Sequence, residues 1–335
     1  MDGTPLQARG GDAVGRLSAM AAADMAAVDS VIVERMQSRV PLIPQLSEHL
    51  IAAGGKRVRP LLTVATARLC GVEGDHHVKL AAAVEFIHTA TLLHDDVVDN
   101  SELRRGRVAA NLIWGPAPSV LVGDYLFARA FGLMVETRSL RALGVLSRAA
   151  AVISEGEVLQ LTRSNDLDLD EETYLRIITA KTAELFAASA EGGGIAAGVD
   201  DQQTAALRRF GMAFGLAFQI VDDVLDYGGA AERLGKNTGD DFREGKVTLP
   251  LALAVARTGE AERPFWTRVV AEKRQTAEDF ARARTLMVET GALEAALDRA
   301  RGFAAEAEAA LAGFEPSPWR DALAALPAFA VTRAG

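Results

Sequence analysis

Apolar residues recur at helical spacing from about Met20 almost to the end of the chain. Residues 79–100 and 204–227 are apolar on more than one face, which is typical of central helices surrounded by other helices. Val, Ile and Thr rarely alternate with polar residues, so strand signals are weak almost everywhere. The pattern therefore predicts an all-α protein, a bundle of about ten or more helices around a central cavity.

Glycine and proline interrupt this pattern at a few places. The interruptions are AAGGKRVRP, GVEGDHH, WGPAPS, EGGGIAAGVD and YGGAAERLGKNTGDD. No change of composition separates two halves, so one helical domain is expected over residues 21–335. Residues 1–20 are rich in glycine and lack the apolar core of a signal peptide, and we expect them to form a flexible arm.

Composition narrows the possible ligands and the compartment. The 335 residues carry a formal charge of −9, which argues against broad binding to nucleic acid, because such binding needs a basic face. Any anionic ligand must then be held by local cations. The one cysteine, Cys70, excludes an internal disulfide and suits a reducing cytoplasm. No uninterrupted apolar run reaches the roughly 18 residues that a membrane span needs.

Two short acidic segments resemble each other, each with an apolar lead, two aspartates, two aliphatic residues and a third aspartate. The first contains Asp95, Asp96 and Asp99, and the second contains Asp222, Asp223 and Asp226. Residues three or four apart share a helix face, so three like charges would lie together in each segment. Such charges need basic partners or a metal ion, and two copies on apolar helices suggest walls that face each other across the bundle.

All-oxygen ligands without cysteine favour a hard ion such as Mg²⁺, which often bridges carboxylates to a substrate phosphate. Pairing of each cluster with arginine at a solvated helix end is the plain structural alternative. A di-iron bundle would need two Glu-x-x-His pairs on facing helices. Glu85 and His88 have that spacing, but the other instance, Glu73 and His76, lies in a glycine-broken loop.

Basic residues follow or precede both acidic segments. Arg57 follows a glycine pair, and the segment RRGR comes just after the first cluster. Further candidates for holding a diphosphate are Lys56, Arg59, Arg104, Arg105, Arg107, Lys181, Thr182, Lys236 and Lys246. Arginine in particular suits bidentate contacts to phosphate. The two acidic segments and the basic groups near them together indicate a cavity with two acidic walls and a basic rim, suited to Mg²⁺ and one or two diphosphates.

With these motifs the sequence resembles the trans-isoprenyl diphosphate synthases, in particular the bacterial long-chain members that make octaprenyl, solanesyl or decaprenyl diphosphate. The resemblance rests on GGKRVRP, EFIHTATLLHDDVVDNSELRRG, GDYLFARAF, EGEVLQL, KTAELF, AFQIVDDVLDY and GKNTGDDFREGKVTLP, in this order. It implies repeated coupling of an allylic diphosphate with isopentenyl diphosphate, for a quinone side chain. A homodimer and transient membrane contact during product release are implied as well.

The resemblance also assigns roles to individual residues. It implies that Asp95, Asp99 and Asp222 are the main Mg²⁺ ligands, with three ions per site once substrate is bound, and that Asp96, Asp223 and Asp226 support them. Isopentenyl diphosphate would be held by Lys56, Arg59, His88 and Arg105. The allylic diphosphate would be held by Arg104, Lys181, Thr182, Gln219, Lys236 and Lys246, of which Arg104, Lys181 and Lys236 would also act in catalysis. Whether Gln160 or Asp240 contributes to metal binding stays open.

Product length is expected to depend on the residues below the first acidic cluster. In this family the positions four and five before the first aspartate often form the floor, and here they are the small residues Thr91 and Ala90. The resemblance therefore implies a tunnel that continues between apolar helices. A shorter-chain synthase, a non-catalytic subunit of a hetero-oligomeric synthase, and a terpene cyclase or head-to-head condensing enzyme are the alternatives.

Overall fold

The computed structural model describes residues 13–52, 57–104, 106–228 and 239–333, without the side chains of residues 51 and 52. Lys56, Arg105 and Lys236 lie outside these residues, as do residues 1–12 of the predicted arm. Numbered in chain order, the described helices are α1 Ala13–Met20, α2 Ala22–Met36, α3 Leu42–Ala52, α4 Val58–Leu69, α5 His76–Val98, α6 Ala110–Trp114, α7 Pro116–Glu136, α8 Leu140–Thr162, α9 Glu171–Ile178, α10 Glu184–Ala197, α11 Asp201–Tyr227, α12 Asp240–Glu244, α13 Leu249–Thr258, α14 Arg263–Trp266, α15 Asp279–Glu289, α16 Ala292–Ala310 and α17 Pro318–Thr332.

The fold is all-α, as the sequence predicts, with one small exception. Strands β1, Leu103–Arg104, and β2, Arg107–Val108, form a short antiparallel hairpin after α5. Two π-helical turns, Thr179–Ala183 and Thr267–Ala271, interrupt otherwise regular helix. The first of them joins α9 to α10.

Helices α5 and α11 occupy the centre of the bundle and carry the two acidic segments. Helix α5 packs against α4, α7 and α10, and α11 packs against α10, α16 and α17. Their bounds lie within three residues of the predicted segments 79–100 and 204–227. Because each is surrounded by other helices, each is apolar on more than one face, which is the pattern that predicts them.

Helix starts follow the local sequence. The side chains of Ser139, Asp170, Asp200 and Ser317 each accept a hydrogen bond from the backbone amide of the third residue in the helix that follows. Helices α7 and α17 begin with proline, which lacks the amide hydrogen that would have no partner there. These local signals fix where the long helices begin.

The segment EGGGIAAGVD interrupts the helical pattern as predicted, but the helix ends at the last glycine of the segment rather than at its first ones. Helix α10 runs through Gly192, Gly193 and Gly194 and ends at Ala197, before Gly198 with its positive φ of 73°. The reason is close helix packing. A Cβ on Gly193 would lie 2.1 Å from Thr66 Oγ1 and 2.5 Å from the carbonyl oxygen of Thr63, both on α4. Tertiary packing therefore outweighs the weak helix propensity of glycine.

The described part of the predicted flexible arm is ordered helix. Residues 13–20 form α1, which packs against α2, α4 and α17. Ala13 and Leu17, one turn apart, are fully buried. The prediction of a flexible arm is thus wrong for residues 13–20, because an apolar face outweighs the glycines before it.

Helix α7 is the only described helix long and apolar enough to cross a membrane by length and composition, and 39% of its most apolar window is buried within the fold. It packs along α5 and contacts α3, α6 and α8. Cys70, just after α4, is half-buried, and burial raises the pKa of its thiol to about 11. A thiol of such high pKa is a weak nucleophile at neutral pH.

Replacing Gly193 by alanine is expected to lower the free energy of unfolding by about 1–3 kcal/mol, because the new methyl group overpacks the contact between α10 and α4. Its neighbour Gly192 is the matched control, since a Cβ there has nothing within 4 Å. Gly192→Ala should be neutral or stabilising by up to about 1 kcal/mol, because alanine is the better helix former. Urea unfolding of both variants checks the pair, and equal losses would contradict the packing account.

Candidate active site

A cavity of about 980 Å³ lies between the acidic segments of α5 and α11. Its wall includes the start of α4, the end of α8, the first π-helical turn, the segment after α12 and the end of α17. Most of the predicted site residues within the described chain border it. These are Arg59, His88, Thr91, Asp95, Asp99, Arg104, Lys181, Thr182, Gln219, Asp222, Asp223 and Lys246. Gln160 and Asp240 border it too.

The first acidic wall is the last turn of α5. Asp95 and Asp99 both face the cavity. Asp96 does not border it and is fully buried on the other side of the helix, where it accepts hydrogen bonds from the Nε and Nη2 atoms of Arg104. Arg104 itself borders the cavity, so Asp96 fixes the position of a guanidinium group at the cavity wall.

The second acidic wall is the last turns of α11. Asp222 and Asp223 border the cavity, whereas Asp226 does not. Asp226 accepts hydrogen bonds from the backbone amides of Gly239, Asp240 and Asp241, at 3.1, 3.2 and 3.0 Å. It thereby caps α12 and joins the start of α12 to the end of α11. The third aspartate of each triad is thus used differently, since Asp99 faces the cavity.

A chain of hydrogen bonds fixes the second wall from inside. Thr182 Oγ1 donates to Gln219 Oε1 at 2.7 Å, Gln219 Nε2 donates to Asp223 Oδ1 at 2.7 Å, and the Tyr174 hydroxyl donates to Asp223 Oδ2 at 2.6 Å. Burial raises the pKa of Asp223 to about 7, although both donors lower it. The chain orients Thr182 and Gln219 at the cavity wall.

Three cations of the chain lie beside carboxylates of the two walls. Lys246 Nζ is 2.9 Å from Asp99 Oδ2, and Arg333 Nη2 is 3.1 Å from Asp222 Oδ1. Lys181 Nζ is 3.8 Å from Asp95 Oδ2 and 2.8 Å from Glu157 Oε2. These cations neutralise part of the negative charge on both walls. Lys246 also connects the segment after α12 to the wall on α5.

Burial and charge shift the pKa values of these groups in opposite directions. Burial raises the pKa of Asp95 to about 6; Lys181 lowers it, while Glu157 and Asp99 raise it. Burial opposes the charge of Lys246, but the carboxylates of Asp99 and Glu244 outweigh it and raise its pKa. Burial therefore makes the charged form of Asp95 costly, while the ammonium of Lys246 beside Asp99 stays protonated.

Arg59 and His88 form the basic part of the cavity next to α4 and α5. Arg59 Nη1 lies 3.2 Å from His88 Nε2. The Arg59 guanidinium lies over the ring of Phe186, with Cζ 4.5 Å from the ring centroid. Stacking on an aromatic face holds a guanidinium flat while its edge stays available for hydrogen bonds. Arg57, which also borders the cavity, pairs with Asp29 at 2.7 Å.

Of the two residues expected to form the floor, only Thr91 borders the cavity. Its hydroxyl donates to the carbonyl oxygen of His88 at 2.8 Å. Ala90 is fully buried in the core and does not border the cavity. A side chain larger than threonine at position 91 would extend into the cavity.

Glu157, Tyr174 and Arg333 border the cavity but are not among the predicted functional residues. Glu157 lies in the motif EGEVLQL, where its spacing to Gln160 would place both on one helix face. Tyr174 has no motif around it, and its role follows only from the packing of α9 on α11. Arg333 reaches Asp222 from 111 residues away, which no local pattern predicts.

The donor set of the cavity suits a magnesium ion. Among the residues that the structure describes, no three Asp, Glu, His or Cys side chains converge closely enough to enclose a metal. Mg²⁺ does not require such a cage, because it is usually held by one or two carboxylates and completed by waters and substrate phosphates. Asp95, Asp99 and Asp222 present carboxylate oxygens on two facing walls, which fits an ion held jointly with a diphosphate.

Comparisons with known proteins agree with this geometry. The family model described as Polyprenyl synthetase matches residues 40–287. Octaprenyl diphosphate synthase of Escherichia coli (strain K12) is 46% identical over 318 residues, which are 95% of this chain and 98% of that protein. That relative has nearly the same length as this chain.

Two solved structures are similar in both fold and sequence. One is a polyprenyl synthase from Caulobacter crescentus CB15 complexed with calcium and isoprenyl diphosphate, with a TM-score of 0.93, 63% identity, and coverage of 96% of this chain and 98% of that one. A decaprenyl diphosphate synthase from Rhodobacter capsulatus has a TM-score of 0.93, 54% identity, and coverage of 96% and 99%. The protein belongs to the polyprenyl synthetase family.

Proposed function

We propose that this protein is a long-chain trans-polyprenyl diphosphate synthase, which couples an allylic diphosphate with isopentenyl diphosphate repeatedly and depends on Mg²⁺. The observation that carries the proposal is the pair of acidic walls on α5 and α11 that face each other across one cavity with a cationic rim. The similar octaprenyl and decaprenyl synthases support the long product.

The two diphosphates bind at different parts of the cavity. Arg59 and His88 hold isopentenyl diphosphate, together with Lys56 and Arg105. The allylic diphosphate lies between the acidic walls, where Arg104, Lys181, Thr182, Gln219 and Lys246 surround it, together with Lys236. The aromatic ring under Arg59 and the hydrogen-bond chain from Tyr174 to Thr182 support this division, because each fixes a donor in advance of binding.

The reaction begins when the allylic C–O bond breaks and its electron pair leaves with pyrophosphate. Lys181 and Arg104 stabilise the negative charge that grows on the leaving oxygen. Mg²⁺ bound by Asp95, Asp99 and Asp222 would supply Lewis-acid stabilisation of the same charge. The isopentenyl double bond then forms a C–C bond with the allyl cation, and the family pattern assigns removal of the proton to the departing pyrophosphate.

Apolar side chains also form part of the cavity lining. Leu92, Ile177, Ile178 and Phe218 border it next to the acidic walls. An allyl cation reacts with any nucleophile within reach, so a dry apolar wall leaves the isopentenyl double bond as its partner. The absence of a large side chain at Thr91 supports continued growth of the product along α5.

A second copy of the chain is the proposed partner. Leu121, Phe131 and Val135 are 67%, 40% and 61% exposed and recur along one face of α7. Leu140, Val158 and Leu161 on the neighbouring helix α8 are 84%, 62% and 62% exposed. An apolar surface of this extent is typical of a protein–protein interface. It supports a homodimer formed through α7 and α8.

We further propose a cytoplasmic enzyme whose product serves as a quinone side chain. Each added isoprene unit buries several CH₂ equivalents, at about 0.8 kcal/mol each, so release of a long product into water is slow. Contact with a membrane would accelerate release. A steady-state rate that rises when detergent micelles are added, without a change of product length, supports this step.

The function is tested by mass analysis of the products formed from farnesyl diphosphate, isopentenyl diphosphate and Mg²⁺. Asp95→Ala and Asp222→Ala are expected to reduce turnover by orders of magnitude with folding intact, since each removes a carboxylate from one wall. Asp298→Ala is the matched control, because Asp298 is exposed on α16, away from the cavity. Near-normal Mg²⁺-dependent turnover in either wall variant would refute a site built from both walls.

Thr91→Tyr is expected to shorten the product, because the larger side chain extends into the cavity below Asp95 and blocks the growing chain. Thr91→Val has nearly the shape of threonine and should leave product length unchanged. Mass spectrometry of the extracted products measures both. A Tyr variant that makes the wild-type product would place the floor elsewhere. Ala90→Tyr, also expected to shorten the product, requires a parallel unfolding measurement because Ala90 is a core residue.

Leu121→Asp is expected to convert the dimer to monomer at micromolar concentrations, because it places a charge in the apolar face of α7 at its most exposed side chain. Val288→Asp is the control, since Val288 is 64% exposed on α15, away from that face. Sedimentation velocity measures the mass of each variant. A wild-type monomer, or a dimer that survives in Leu121→Asp, would contradict the proposed interface.

A further inference from the structure

The end of α8 approaches the first π-helical turn more closely than a side chain would allow. A Cβ on Gly156 would lie 2.7 Å from the Cβ of Ala180 and 3.0 Å from the backbone nitrogen of Lys181. Real Cβ atoms essentially never show contacts below 3.0 Å. Glycine at position 156 therefore lets the backbone that carries Lys181 lie directly against α8.

The next residue on α8 binds the side chain of the same lysine. Glu157 Oε2 accepts a hydrogen bond from Lys181 Nζ at 2.8 Å. Asp95 Oδ2, on the acidic wall, is 3.8 Å from the same nitrogen. Lys181 thus lies between two carboxylates and is in direct contact with the one on α8.

We propose that Glu157, placed by Gly156, is a positioning residue that keeps Lys181 at 3.8 Å from Asp95, too far for a direct hydrogen-bonded pair. An ammonium released from Glu157 would move about 1 Å and close on the Asp95 carboxylate, since opposite charges attract strongly where both side chains are mostly buried. That pair would neutralise a ligand that the bound Mg²⁺ needs. Glu157 in this way keeps Asp95 available while Lys181 remains at the leaving group.

This inference rests on the proposed function of the cavity. A positioning role for the pair of Glu157 and Lys181 differs from a purely structural role in one respect. A structural pair would lose stability when broken, irrespective of metal. A positioning pair changes the affinity for the metal, and does so only while Lys181 is present to compete for Asp95. The two accounts are therefore separated by a double-mutant cycle between Glu157 and Lys181.

The cycle uses wild-type protein, Glu157→Gln, Lys181→Met and the double variant. Mn²⁺ replaces Mg²⁺, and the free ion is measured by electron paramagnetic resonance with protein alone and with one equivalent of inorganic pyrophosphate. Glu157→Gln should weaken Mn²⁺ binding about tenfold, within the range of coupling between contacting residues. In the Lys181→Met background the same substitution should have little effect. Circular dichroism and the unfolding midpoint confirm that each variant is folded.

Two outcomes would overturn the inference. Equal Mn²⁺ binding by wild-type protein and Glu157→Gln, in both conditions, would show that Glu157 does not keep Asp95 available. The same loss in both Lys181 backgrounds would show that Glu157 acts through its own charge rather than through the lysine. Prenyl transfer by the wild-type protein is a separate measurement, so either proposal can fail without the other.

Gly156→Ala tests the steric part independently. The added methyl group should displace the π-helical turn and weaken Mn²⁺ binding to a similar extent. Gly144→Ala is the matched control on the same helix, because a Cβ there has nothing within 4 Å. Unchanged Mn²⁺ binding in folded Gly156→Ala would contradict the role of the close approach. Should Gly156→Ala fail to fold, the cycle between Glu157 and Lys181 still decides the proposal.

Discussion

Repulsion between buried carboxylates is the constraint on which the rest of the site depends. Asp95, Asp99, Asp222 and Asp223 face one cavity, and burial makes the ionised forms of Asp95 and Asp223 costly. The chain offsets this cost with cations drawn from distant elements, such as Lys246 and Arg333. The bundle is therefore held around its cavity partly by the charges that a diphosphate and its metal would engage.

The same constraint explains why the two triads are not equivalent inside the fold. Asp96 and Asp226 are turned away from the cavity and bind protein groups, Arg104 in one case and backbone amides of α12 in the other. Each therefore places a neighbouring element at the cavity rim. Two aspartates in each triad remain at the surface of the cavity, which limits how much like charge the site must tolerate without ligands.

Much of the fold and part of the site follow from local sequence. The apolar pattern predicts α5 and α11 to within three residues, and the spacing of the aspartates predicts that two acidic faces meet. What the sequence does not reveal depends on contacts between remote elements. Gly193 lies inside a helix because α10 packs closely against Thr66 of α4. Arg333 reaches Asp222 because α17 packs on α11. Tyr174 and Glu157 likewise gain their roles only when α8, α9 and α11 are packed together.

The π-helical turn at Thr179–Ala183 sits within an almost continuous helical run from Glu171 to Ala197. Such a turn holds one more residue than a turn of α-helix, so everything after it is rotated by roughly a quarter of a revolution relative to a regular helix. Loss of one residue there would restore regular winding and leave the alanine-rich half of the run in phase with α4 and α11. Lys181 and Thr182 would then point elsewhere, so a single deletion would remove two polar side chains from the cavity wall while sparing the core.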